Sequence, residues 1–217
     1  MISFDSSSTA QLPEQEEVSA IRTFLQNPEH TLFVCPHHDI GDVSRLPSEE
    51  RRSRQEAEFH HHGDPAIPAT QRFGGFAIAL LEELGVPVRN RFGLRPALSA
   101  SGSPAPLDIA RELDRFSLLD EVTTFNAHPH LPHFERLDAA VNKLDVLARQ
   151  KIDLEAPPHP FVLDGHTAFD ALLQSRPEVF PGRLLVCDTT TWSSTAGGLN
   201  SLQSFWRNVA CLAQGTD

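Results

Sequence analysis

The spacing of apolar positions changes along the chain in a way that predicts strands alternating with helices. Residues 2–4 (Ile-Ser-Phe) form a short apolar start that leaves through Asp5 and three serines. Pro13, followed by Glu14, Glu16 and Glu17, opens a helix with proline in the first turn and acids at the positive end of its dipole. Val18, Ile21, Phe24 and Leu25 continue that helix as an apolar stripe, and Asn27-Pro28 closes it. Residues 31–35 (TLFVC) are a continuous run of β-formers, as in a strand buried on both faces. Residues 71–84 carry Phe73, Phe76, Ala77, Leu80, Leu81 and Leu84 on one helical face, with Gly85 just past the end. A strand over 86–92 follows.

The second half is less clear-cut. Residues 98–106 read as a Ser/Pro/Gly linker, 106–116 as a short helix and 121–126 (EVTTFN) as a strand. Leu137, Ala140, Val141, Leu144, Leu147 and Ala148 keep helical spacing up to Gln150, although 144–148 fits a strand as well and periodicity does not decide. Residues 167–174 read as a short helix, 183–187 (RLLVC) as a second buried strand and 199–213 as a closing amphipathic helix. Together these predict an α/β fold: one domain over 1–217 with a mainly parallel, doubly wound, flavodoxin-like sheet and helices on both faces. Residues 36–70 are polar and charged, a stretch long enough to be a functional or mobile loop.

Composition narrows the options. At 217 residues, 40% hydrophobic and 22% charged, the chain is globular in character. A formal charge of −11 disfavours nucleic acid and anionic membrane surfaces as partners. No apolar run approaches the roughly 18–20 residues of a bilayer span. The N-terminal stretch has neither a basic nor an apolar signal region, so no signal peptide is expected. The three cysteines are unclustered and lead to the expectation of a reducing cytoplasm. The unusual feature is eleven histidines beside no tyrosine.

Those histidines cluster where the predicted strands end. His37, His38 and Asp39 follow TLFVC, and His128, His130, His133 and Glu135 follow EVTTFN. His60, His61, His62 and Asp64 lie in the long loop. In wound sheets the carboxyl ends of the strands share the ligand crevice, so these segments are expected to meet there. Imidazole with carboxylate suits zinc, iron or manganese. The expected ligands are His37, His38, His61, His128, His130 and His133, with Asp39, Asp64 and Glu135 as proton-moving or orienting acids. No HExxH or paired CxxC spacing is present. The alternative is that the imidazoles are solvated or pin an irregular loop. Cys35 lacks the small neighbours of a nucleophile elbow and reads as a strand-core cysteine, as does Cys187. His30, His159 and His166 stand apart and read as structural.

The segments LPEQEEVSAIRTFLQNPEHTLFVCPHHD and PGRLLVCDTTTWSSTAGGLNSLQSFWRNVACLAQG resemble the class I glutamine-amidotransferase-like superfamily. They are closest to its non-catalytic gliding-motility and intraflagellar-transport branch. The resemblance implies a class I amidotransferase-like scaffold without the catalytic cysteine elbow. The histidine clusters are not part of that pattern. The functional expectation is therefore a metal-dependent enzyme, a hydrolase of a small polar substrate, either monomeric or homo-oligomeric. The alternatives are a non-catalytic ligand- or partner-binding domain and a metal-binding or metal-sensing protein.

Overall fold

The computed structural model describes residues 12–36, 47–49, 52, 76–103, 105–124, 131–156, 160–187 and 200–212. In chain order the elements are α1 (Gln15–Phe24), β1 (Thr31–Val34), α2 (Phe76–Glu83), β2 (Val88–Leu94), β3 (Asp108–Ile109) and β4 (Leu131–Arg136). There follow a 3-10 turn (Asp138–Asn142), β5 (Leu144–Lys151), α3 (Pro160–Leu163), β6 (Ala168–Ser175), β7 (Arg183–Cys187) and α4 (Asn200–Leu212). The helices α1, α2 and α4 form where the apolar stripes predict them. Glu17 accepts the Glu14 backbone N–H at 2.8 Å, closing the acidic first turn of α1. Gly85 takes φ +79° just past α2, the left-handed stop that glycine accommodates.

The sheet departs from the parallel, doubly wound expectation. Of its pairings among the described residues, only β1–β7 is parallel; β2–β4, β3–β5, β4–β6, β5–β6 and β6–β7 are antiparallel. The cause lies in two segments: 144–148, open between helix and strand, and 167–174, expected to be a helix. Residues 144–151 settle the open alternative as strand β5, and residues 168–175 form β6 rather than a helix. Both are buried on both faces, so neither shows the alternation that marks a half-exposed strand. Seven residues, 176–182, join β6 to β7. A link that short makes an antiparallel neighbour, because a parallel crossover needs about a dozen residues or more.

Two smaller expectations also fail. In 106–116 only Asp108–Ile109 is regular, and it is a strand. The Asp114 carboxylate accepts the Leu118 and Leu119 amides at 3.0 and 2.8 Å and holds the segment as irregular turns. The strand expected from Glu121 reduces to a bridge between Thr124 and Pro106, residues 125 and 126 lying outside the described set. Instead, the proline-punctuated stretch Leu131–Arg136 is strand β4.

Alternation along β1 and β7 divides the core. Leu32, Val34, Leu184 and Val186 face α1 and α2 through Val18, Leu80 and Leu81. Phe33, Cys35, Leu185 and Cys187 face the other way, onto Leu118, Leu119 and the α4 residues Leu202 and Phe205. Each such side chain withdrawn from water contributes roughly 1.5–3 kcal/mol, so both helix layers are fastened by apolar burial. Among the described residues no helix is long and apolar enough to cross a membrane.

Candidate site at one sheet edge

Strand direction fixes which chain ends lie together. β1 and β7 are parallel and in register, Val34 opposite Val186, so both reach their carboxyl ends at one edge. Both β5 and β7 run antiparallel to β6, so β5 also ends there. β3 is antiparallel to β5 with Asp108 opposite Arg149, which carries Pro106, and Thr124 bridged to it, toward that same edge. Three chain exits therefore share one edge: after Cys35-Pro36, after Cys187 and after Thr124. The third is fastened to the start of α4, where Ser201 donates to the Thr124 carbonyl at 3.0 Å.

β4 lies beyond the end of β7. Asp170 of β6 faces Arg149 on one side and Phe134 on the other, while Leu172 faces Ala148 and Cys187. β4 and β7 thus occupy the same flank of β6, two residues apart, or roughly 7 Å along the strand. Among the described residues one backbone pair, Phe134 opposite Asp170, joins β4 to β6, and a charged row reinforces it. Arg149 Nε donates to Asp170 Oδ1 at 3.0 Å and Arg136 Nε to Oδ2 at 3.2 Å. Arg136 also donates to the Leu144 carbonyl at 3.0 Å.

At the edge itself stand two thiols. Cys35 and Cys187 are both fully buried, their Sγ atoms 3.7 Å apart. Pro36, the last described residue before the histidine pair, is buried too. Of the expected metal ligands, His37, His38, His61, His128 and His130 lie outside the described residues, as do the acids Asp39 and Asp64. His133 belongs to β4, its backbone opposite Arg91, and Glu135 stands two positions on, opposite Arg89. Among the described residues no group of three His, Cys, Asp or Glu side chains is placed to hold a metal ion.

No family model, curated protein or solved structure matches this chain.

The isolated histidines are structural where described. His30 stacks on Phe24 at 4.2 Å and donates from Nδ1 to the Phe24 carbonyl, while His166 stacks on Phe161 at 4.0 Å. The perturbed charges sit elsewhere. Arg207 donates to Glu121 at 2.6 Å, and this bond with its charge holds the Glu121 carboxyl below its ordinary value and the guanidinium above its own. Desolvation lowers Arg183, which opens β7 and lies over the Phe116 ring at 4.3 Å.

Reading the cysteines one at a time missed their pairing, though a signal was present. TLFVC and RLLVC are two apolar runs of the same length, each ending in cysteine. If such strands lie side by side, parallel and in register, their thiols must meet.

Proposed function

We propose that this protein is a metal-dependent hydrolase of a small polar substrate, with its metal at the edge where β1 and β7 end. One observation carries the reading. The chain leaves Cys35 and Thr124 at a common edge, and the sequences that follow those two residues carry His37-His38-Asp39 and His128-Pro129-His130. Imidazole and carboxylate donors from separate segments favour zinc, iron or manganese. These donors would hold such a metal, whose chemistry would be to acidify a water towards a pKa of about 7 so that it can act as nucleophile at neutral pH. Asp39, Asp64 and Glu135 are the acids proposed to take or return its proton.

The test is elemental analysis of protein purified without a histidine tag, alone and with His128 and His130 both changed to alanine. The reading expects bound metal in the parent, loss of it in the double variant, and hydrolase activity that a chelator abolishes. A metal-free parent, or a double variant with unchanged metal content, overturns the assignment. Bound metal without turnover against any small ester, amide or phosphate substrate removes the hydrolase and leaves metal binding.

A further inference from the structure

We propose that Cys35 and Cys187 are a redox couple that closes into an intramolecular disulfide, a staple between the carboxyl ends of β1 and β7. It rests on the described strands alone and not on the metal reading. Val34 and Val186 are partners in a parallel register, so Cys35 and Cys187 follow one step later on the same face. Neighbouring strands lie about 4.8 Å apart, inside the roughly 4.4–6.8 Å between α-carbons that a disulfide bridges. The sulfurs already approach to 3.7 Å. Closing the remaining gap to about 2.05 Å calls for rotation about the two Cα–Cβ bonds.

The chemistry balances with hydrogen peroxide as oxidant. One thiol sulfur attacks a peroxide oxygen, the O–O bond breaks, and water leaves with the thiol proton, giving a sulfenic acid. The second sulfur attacks that sulfenic sulfur, the S–O bond breaks, and a second water leaves. The sulfurs give up two electrons and the peroxide takes them. Because neither sulfur is exposed, a small uncharged oxidant is favoured over bulky ones such as oxidised glutathione. Cys211, exposed on α4, is open to both.

The consequence is mechanical. Among the described residues β1 pairs with β7 alone, so the bond ties an edge strand to the sheet. It also fixes the two chain exits that flank it.

The experiment treats the folded Cys211→Ser protein with hydrogen peroxide in the presence of chelator. The proposal expects an intact mass lower by two hydrogens, loss of both titratable thiols, and a cross-linked peptide holding Cys35 and Cys187. It also expects a higher urea midpoint that dithiothreitol returns to its starting value. In the parent, oxidised glutathione should modify Cys211 and spare the buried pair. Cys35→Ser and Cys187→Ser, each in the Cys211→Ser background, should both abolish the two-hydrogen loss. Oxygen added to Cys35 or Cys187 without cross-linking overturns the proposal. So does survival of both thiols in the folded protein under peroxide that joins them after unfolding.

Discussion

Gly182 precedes β7 where the chain passes against the loop that ends α1, and it leaves no room for a side chain. A Cβ built there would lie 2.7 Å from the Asn27 carbonyl oxygen, 2.9 Å from Leu25 and 3.1 Å from His30. All three are main-chain carbonyl oxygens and all are already committed, that of Asn27 to the His30 N–H at 3.0 Å. Gly182 donates to the Leu25 carbonyl at 2.8 Å and Arg183 to that of His30 at 2.9 Å. Making room therefore means loosening the bonds that stitch α1 to the start of β7. Gly182→Ala should lose about 1–3 kcal/mol to overpacking and about 1 kcal/mol for each hydrogen bond that opens. The narrower unfolded ensemble of alanine returns only about 0.4–1 kcal/mol. The net is a destabilisation of about 2–4 kcal/mol.

Urea unfolding followed by fluorescence and circular dichroism together measures this. With a slope of about 2 kcal/mol/M the midpoint should fall by about 1–2 M. Gly102→Ala separates crowding from backbone strain: Gly102 has φ +80° and no atom within 4 Å of a built Cβ. That variant should lose only about 1–2 kcal/mol, the penalty of a left-handed non-glycine residue. A Gly182→Ala midpoint at or above the parent's, with an unchanged slope, would refute the close approach of the α1 loop to β7.

Two further outcomes follow from the charged pairs. Asp170→Asn removes the charge between Arg136 and Arg149, whose side chains are 20% and 41% exposed, while Asp170 is 16% exposed. That partial solvation reduces the loss to about 2 kcal/mol. Hydrogen exchange should rise first in β4, which one residue pair and this row hold to β6; an even rise across β5 and β6 would contradict that role. Glu121→Gln tests the lowered carboxyl. Because the folded value lies below the unfolded one, the pair's contribution is present above the unfolded value and lost as pH falls through the folded one. The parent should therefore exceed the variant slightly near neutral pH and match it in strong acid, with the gap shrinking in salt. A gap that persists in acid would contradict the pairing.

What could be read from the sequence depended on exposure. The helices α1 and α4 each keep a polar face, so their apolar stripes stand out. TLFVC and RLLVC were legible as strands because each is short and bounded by polar residues. β5 and β6 were not. In β6, Phe169, Leu172 and Leu173 fall at i, i+3 and i+4, the spacing of a helix, because burial on both faces puts apolar residues at consecutive positions such as 171–173. Taking residues 167–174 as a helix, with 144–148 open between helix and strand, leaves this antiparallel pair unread, and the parallel sheet follows from that. β4 stayed hidden for the opposite reason, since Pro132 and His133 read as loop, and among the described side chains of the strand Phe134 alone reaches the core.

The site expectation keeps a narrower physical basis than the one that suggested it. In a wound parallel sheet every strand delivers its carboxyl end to the ligand crevice. Here antiparallel neighbours send alternate strands the other way, and β6 begins four residues beyond the end of β7, at Ala168, with Leu172 opposite Cys187. Yet β1 and β7 remain parallel, and β5 shares their direction because two reversals through β6 restore it. The exits at Cys35, Cys187 and, through the Pro106–Thr124 bridge, Thr124 therefore lie on one edge despite the changed topology. Those relations, together with β3 antiparallel to β5, bring the three exits to one edge although most of the sheet is antiparallel.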